Sequence, residues 1–283
     1  LCMEATAKKE LMKIACKIRL GVIEGTFHAK SGHPGGSLSI AEDLAYLYWK
    51  EMRLDPENPK DPHRDRLVLS KGHTAPALYA ALALRGYFDL EELQHLRHVD
   101  ALLQGHPDMK HIPGVDMSTG SLGQGISAAC GMALAAKITE GEDYRVYTIL
   151  GDGEIEEGQV WEAAMFAAHY KLDNLCAIVD NNGLQIDGPV AEVMSPYPIT
   201  DKFAAFGWHV ITIDAHDLDQ IEAAFAEARS VKGKPTVIVQ TSVKGKGVSF
   251  MENQVSWHGS APNAEQYQQA KEELTAALAA LEA

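Results

Sequence analysis

The sequence is short of cysteine, of positive charge and of long apolar runs, and each shortage excludes a class of protein. Four cysteines, Cys2, Cys16, Cys130 and Cys176, are scattered through 283 residues with no C-x-x-C spacing. Neither a disulfide framework nor a thiolate zinc site fits that pattern, which suits a reducing, cytoplasmic setting. Cys130 and Cys176 sit in apolar runs and are expected in the core. Lysine and arginine total 25 against 39 acidic residues, a formal charge of −14. No basic field exists to draw in a nucleic acid or an anionic membrane, so neither is expected as a partner. An anionic ligand would need local help from backbone N–H groups, a metal or histidines. The longest nearly apolar run, "ISAACGMALAA", falls short of the ~20 residues that a membrane span needs. The N-terminal segment has no signal-peptide h-region. Leu1 and Cys2, ahead of Met3, are left open as additions to the natural chain.

What is present is a regular alternation of elements. Leu11, Ile14, Ala15, Ile18, Val22 and Ile23 recur at helical spacing, which predicts a helix over 4–28. The Gly-rich "AKSGHPGGSLS" reads as a loop, followed by a helix over 40–52 and a polar, turn-rich stretch, "LDPENPKDPHRD". The strands expected are "RLVLS", residues 145–150, "LCAIVD", "WHVITID" and "TVIVQTS". Helices are expected over 77–86, 123–139, 159–172 and 218–231, and a terminal one over 263–283. Continuous apolar strands separated by amphipathic helices predict an α/β fold, a mostly parallel sheet with helices on both faces. Without repeats, low-complexity segments or a convincing linker, residues 1–283 are expected to form a single domain.

Two features carry chemistry. "ILGDGEIEEG" puts Asp152, Glu154, Glu156 and Glu157 where one strand surfaces, and "VDNN" puts Asn181 and Asn182 where the next one does. In a parallel sheet with one crossover helix between them, those ends face the same side, where ligands bind. Asp152 and Asn182 would then offer hard oxygen ligands to Mg²⁺ or Ca²⁺, with Gly151 and Gly153 admitting a diphosphate close to the backbone. Gly-Asp-Gly and Asn-Asn-Gly are also ordinary turn sequences, and the strand-end context is what favours the metal. The second feature is four histidines in Gly-framed loops: His33 in "SGHPGG", His73 in "KGHTAP", His106 in "QGHPDM" and His258 in "WHGS". They look like a set converging on a polar substrate. The other eight, His28, His63, His95, His98, His111, His169, His209 and His216, lack that setting and are read as structural or surface residues.

At this point the motifs resemble a known family. "GDGEIEEG" followed by "NN" resembles the thiamine-diphosphate motif. Together with "SGHPGG", "SKGHTAPALYA", "GHPD", "STGSLGQGIS" and "WHG", in order along nearly the whole chain, it is similar to the N-terminal half of transketolase. The resemblance implies the thiamine-diphosphate-binding fold, here its diphosphate-binding domain. It implies thiamine diphosphate with Mg²⁺ or Ca²⁺ held by Asp152, Asn182 and the carbonyl of Leu184. His73, Gly153 and His258 would contact the diphosphate, Gly120 and Leu122 the cofactor rings, and Lys244 (with Lys246) would lie in a covering loop. His33, His106 and His258 would surround the sugar, and Glu157 would stand near a dimer interface and the cofactor-activating glutamate. The implied reaction passes a two-carbon ketol unit from a ketose (phosphate) to an aldose (phosphate), as in the pentose phosphate pathway. The chain ends at Ala283, before the pyrimidine-binding and C-terminal domains of the family. It is therefore expected to be one component of a split transketolase, acting with a separate C-terminal subunit, two copies of each. A deoxyxylulose-phosphate-synthase-like enzyme and a Mg²⁺-dependent phosphohydrolase are the alternative readings. A nucleotide-binding module fits poorly, for the chain has no P-loop and "GSLGQG" does not follow a strand. A non-catalytic scaffold subunit would keep the motifs only as packing.

Overall fold

A computed structural model describes residues 3–282. The readings of Leu1, Cys2 and the last residue of the terminal helix, Ala283, lie outside the described residues. Seven strands occur among the described residues: β1 (Arg66–Leu69), β2 (Val146–Gly151), β3 (Leu175–Asn181), β4 (Leu184–Gln185), β5 (Gly188–Pro189), β6 (His209–Asp214) and β7 (Thr236–Thr241). Five form one sheet in the order β1-β2-β3-β7-β6, every pair parallel. β4 and β5 make a small antiparallel hairpin after β3. The α-helices are α1 (Ala5–Ala29), α2 (Pro34–Leu38), α3 (Ala41–Tyr46), α4 (Ala75–Arg85), α5 (Gly125–Ile138), α6 (Gly158–His169), α7 (Val190–Val193), α8 (Ile199–Ala205), α9 (Leu218–Ser230) and α10 (Ala264–Glu282).

Alternation along the strands sorts side chains into two cores, because successive residues of a strand point to opposite faces. On one face, Tyr147, Ile149, Cys176, Ile178 and Ile238 pack with residues of α1, α3, α4 and α9. On the other, Val146, Leu150, Ala177, Val179 and Val237 meet α5, α6 and Phe203 of α8. The expected sheet with helices on both faces is thus the fold that forms. Cys130 and Cys176 are buried and free, as expected, and so is Cys16. No helix among the described residues is long and apolar enough to cross a membrane.

Two stretches depart from the sequence reading. "SGHPGG" is not all loop: Pro34 opens α2, whose five residues are all buried. Proline presets the first helical turn, and the glycines let that turn sit deep. A Cβ on Gly35 would lie 2.8 Å from the Trp257 carbonyl oxygen, so only glycine fits. The long connection after β3, read as loop, contains the β4–β5 hairpin, α7 and α8. These are too short for periodicity to reveal. The helix expected over 40–52 ends in a π-helical turn over Leu47–Glu51.

Candidate cofactor site

Parallel pairing sends the C-terminal ends of β1, β2, β3 and β7 to one side, and each delivers polar residues there. The register pairs Gly151 of β2 with Asp180 of β3. Asp152, the next residue, donates its N–H to the Asp180 carbonyl at 3.3 Å. Its side chain accepts from the N–H groups of Gly153 (Oδ1, 2.9 Å) and Gly183 (Oδ2, 2.5 Å). The turn carrying Asn182 and Leu184 is therefore strapped to Asp152. Asn182 Oδ1 accepts from the Leu184 N–H at 3.1 Å, leaving room for a further contact. Asp152 is only 2% exposed. Burial, and then the neighbouring Asp180, push its pKa up to about 6 against the two N–H donors. The Lys244 charge only partly compensates a carboxylate lifted in this way, and a divalent cation would supply the rest.

Beneath it lies a buried ion pair that the sequence reading overlooked. Lys71, just after β1, donates to Asp180 and to the Gly36 carbonyl (3.0 Å). Asp180 also accepts from Ser39 Oγ (2.7 Å), Asn182 Nδ2 (2.9 Å) and Ser242 Oγ. Burial alone would raise the Asp180 pKa, but Lys71 and the hydroxyl donors outweigh it and hold the group down. A lysine directly after one buried strand and an aspartate at the end of another were the available signal. Glu154, named with the acids at the strand end but given no role there, is the second such group. Buried, it accepts from Ser70 Oγ (2.5 Å), the Gly123 N–H (3.0 Å) and the Gly151 N–H (3.0 Å). It thereby fastens the "GSLGQG" loop to β2, while burial raises its own pKa.

The four Gly-framed histidines do come together. Ring centroids of His33 lie 5.1 Å from His73, 6.5 Å from His106 and 5.6 Å from His258, and His73 lies 5.2 Å from His258. Burial lowers all four pKa values, with neighbouring cations assisting. His33 falls to about 4, helped by Arg97, and His258 to about 3, helped by Lys244. His73 drops well below its ordinary value and His106 is lowered too. The set is uncharged at neutral pH, each ring able to donate one hydrogen bond and accept another. His33 Nδ1 is buried with no partner, an open position for a ligand group.

Lys244 reaches the same place from the loop after β7. It is 2% exposed, and its ammonium meets the Leu184 carbonyl (3.0 Å) and His258 Nδ1 (3.0 Å). Burial, and then Lys71, lower its pKa to about 8. Lys246, by contrast, is partly exposed and faces Glu252 at 3.7 Å. Gly120 packs on the His106 ring with φ +144°, where a side chain would be strained. Leu122 is 40% exposed at the cavity edge. Glu157 does not line the cavity: exposed at the N-cap of α6, it packs its Cβ side against Gly123.

Lys71, His73, Asp152, Asn182, Lys244 and His258, among others, line a cavity of about 110 Å³, while His33, His106 and Gly120 lie outside its lining. Larger clefts of about 500 and 590 Å³ lie elsewhere, but neither is lined by these strand-end residues. No cluster of three or more His, Cys, Asp or Glu suited to a metal occurs among the described residues. A cation here would be held by one carboxylate, one amide oxygen and one carbonyl, hard donors that suit Mg²⁺ or Ca²⁺ when a diphosphate completes the shell. The residues therefore fit a metal diphosphate.

The family model described as transketolase, thiamine diphosphate binding domain, matches residues 11–279. The chain belongs to that family. It is 52% identical over 86% of its length to the 6-deoxy-6-sulfo-D-fructose transketolase subunit SqwG of a Clostridium species, covering 88% of that protein. It is 42% identical over 94% of its length to one of the subunits of the apulose-4-phosphate transketolase of Phocaeicola vulgatus, covering 94% of it. A solved transketolase from Pichia stipitis superposes with a TM-score of 0.89 at 33% identity, over 96% of this chain. The chain spans only 44% of that larger transketolase.

The depressed histidine pKa values give this transketolase-family site a pH signature. Below pH 6.5 the unfolded chain takes up protons that folded His33 and His258 refuse, so stability falls as pH falls toward 4 and then 3. Asp152 and Asp43, a buried residue of α3, raised to about 6 and about 8, run the other way. The comparison must therefore be with a variant. Between pH 6.5 and 4, urea unfolding should cost wild type progressively more stability than His258→Asn. Parallel pH profiles would contradict the pKa assignments.

Proposed function

We propose that the chain is the cofactor-holding, N-terminal subunit of a two-chain transketolase that moves a ketol unit from a ketose donor to an aldose acceptor. One observation carries the reading: Asp152 and the Asn182–Leu184 turn meet at adjacent strand tips, beside four uncharged histidines. Asp152, Asn182 Oδ1 and the Leu184 carbonyl would hold Mg²⁺, with Ca²⁺ as the alternative. The Leu184 carbonyl already accepts a cationic donor, the Lys244 ammonium. His73, Gly153, His258 and Lys244 would bind the diphosphate, while Gly120 and Leu122 would lie against the rings. Bound thiamine diphosphate supplies the electron sink that carbon–carbon cleavage needs. The chain's own part is to orient and to move protons. His33, His106 and His258 would grip the sugar's carbonyl and hydroxyls, and the negative charge of a bound diphosphate would raise the pKa values of these rings so that they can take up or return a hydroxyl proton.

The same reading assigns residues 1–283 to one diphosphate- and metal-binding unit and the pyrimidine-binding unit to a C-terminal partner chain, in two copies of each. Support comes from the two relatives of matching length, both named as subunits. The cavity's about 110 Å³ is also well below the roughly 300–1,000 Å³ of a complete small-molecule pocket, as expected of a half-site. Exposed Glu157 would face that partner. The relatives' names, a sulfo-sugar and apulose 4-phosphate, favour substrates with an anionic group, sugar phosphates among them. Three free, buried cysteines suit a cytoplasmic location. The test is a coupled ketol-transfer assay with the chain alone and with its C-terminal partner. Activity is expected only in the mixture and only with thiamine diphosphate and Mg²⁺. Full turnover by this chain alone, or phosphate release without thiamine diphosphate, would overturn the proposal.

A further inference from the structure

The loop that carries Lys244 is held from behind by groups outside the cavity. The Gly245 N–H donates to the Gly35 carbonyl of α2 at 2.9 Å, and the Asn253 N–H to the Lys244 carbonyl at 2.8 Å. One residue before the lysine, the Val243 N–H donates to His216 Nε2 at 3.0 Å. An Nε2 that accepts leaves the ring proton on Nδ1, which faces the Glu42 carboxylate at 3.2 Å. Glu42 in turn takes two contacts from Arg19 Nη2, at 2.7 and 2.6 Å. Arg19 Nε donates to the Leu38 carbonyl at the end of α2 (3.3 Å), and its Cδ lies under Gly247. The whole chain of contacts is buried or nearly so. Burial would lift the Glu42 carboxyl, but Arg19 and then His216 overcome it and hold its pKa at about 2. A permanently ionised carboxylate thus fixes the ring tautomer, as outer partners do for histidines in metal sites.

Packing alone does not ask for this arrangement. A leucine would fill the space between α3 and the loop without desolvating an imidazole, a carboxylate and a guanidinium together. What the polar chain adds is a single acceptor aimed at one backbone N–H. We propose that His216 is a positioning residue for the cofactor. Oriented by Arg19 and Glu42, it fixes Val243 so that the Lys244 ammonium stays beside Leu184 and His258. This rests on the reading of that cavity as the diphosphate site. The loop and α2, which opens directly after His33, would then shift as one body, since Arg19 and the Gly35–Gly245 contact join them.

Two measurements test it. Hydrogen exchange on the full chain reads the loop directly, and calorimetric titration of the complex of this chain with its C-terminal partner reads affinity for thiamine diphosphate with Mg²⁺. In His216→Leu, the Val243 and Gly245 amides should exchange about ten times faster, because the closed loop loses its tether. Cofactor affinity should fall about tenfold, the scale of losing an outer-shell partner. His216→Gln, whose amide oxygen can still accept from Val243, should recover most of both losses while melting at the same temperature as the leucine variant. Equal impairment of the two variants, or wild-type exchange in His216→Leu, would overturn the role. If wild type itself fails to bind thiamine diphosphate, the functional reading falls, and loop exchange still decides whether His216 holds the loop.

Discussion

Asp152→Asn is expected to weaken binding of thiamine diphosphate with Mg²⁺ by on the order of 100-fold or more, with the free chain's stability nearly unchanged. Outer-shell partners alone cost about 10–100-fold, and Asp152 would be the carboxylate ligand itself. The stability half of the prediction follows from two opposed effects. At neutral pH the buried charge is unfavourable, since a pKa raised from 3.8 to about 6 corresponds to roughly 3 kcal/mol. Asparagine removes that charge. Its NH₂ group, however, must confront one of the two N–H donors, Gly153 or Gly183, at a cost of about 1–3 kcal/mol. The terms are of similar size and opposite sign, so urea unfolding should give a net change within ~1 kcal/mol. Unchanged calorimetric affinity would remove the metal from these strand tips. A large loss of stability would show that Asp152 is there to hold the turn.

The largest effect on stability is expected from Lys71→Met. Lys71 is 1% exposed and Asp180 fully buried, so removing the ammonium strands a carboxylate that only hydroxyl and amide donors then support. Breaking such a pair typically costs about 3–5 kcal/mol. The sign of the Asp180 shift agrees. A carboxyl held below its ordinary value by Lys71 contributes stability above the unfolded pKa, and that contribution disappears with the lysine. In the double variant Lys71→Met/Asp180→Asn neither member of the pair leaves a charge behind, so urea denaturation should return part of the loss. A double variant less stable than the single one would mean that the cage around Asp180 does not depend on charge.

Why some of this was legible in the sequence and some was not follows from the range of the interactions. β2, β3 and β7 are short apolar runs, and their order in a parallel sheet puts Asp152 and Asn182 on one side whatever the details. The Gly-His pairs were legible because glycine and histidine together are conspicuous in loops. Lys71 and Asp180 sit inside quoted motifs without standing out, and Glu154 stands out only as one acid of a cluster. Their meaning depends on partners far along the chain: Lys71 meets Asp180 across 109 residues and Glu154 meets Ser70 across 84. Nor does any local pattern distinguish His216 from the other histidines outside the glycine loops. Its partners are Glu42 of α3 and Val243 after β7, which only the tertiary fold brings beside the connection between β6 and α9. The helical turn at Pro34–Leu38 was read as loop because its glycines suggest flexibility, whereas here they permit burial.

The pairing of Gly151 with Asp180 and of Asn181 with Thr241 bears on how such a chain can vary in length. One residue added within β3 would reverse every following side chain, turning Asp180 away from its lysine and carrying the Asn182 turn past Asp152. The largely exposed stretch from Asp55 to His63, at the opposite ends of the strands, has no such arithmetic to respect. Insertions and deletions should therefore accumulate in that stretch, while the residue count from Leu175 to Leu184 stays fixed.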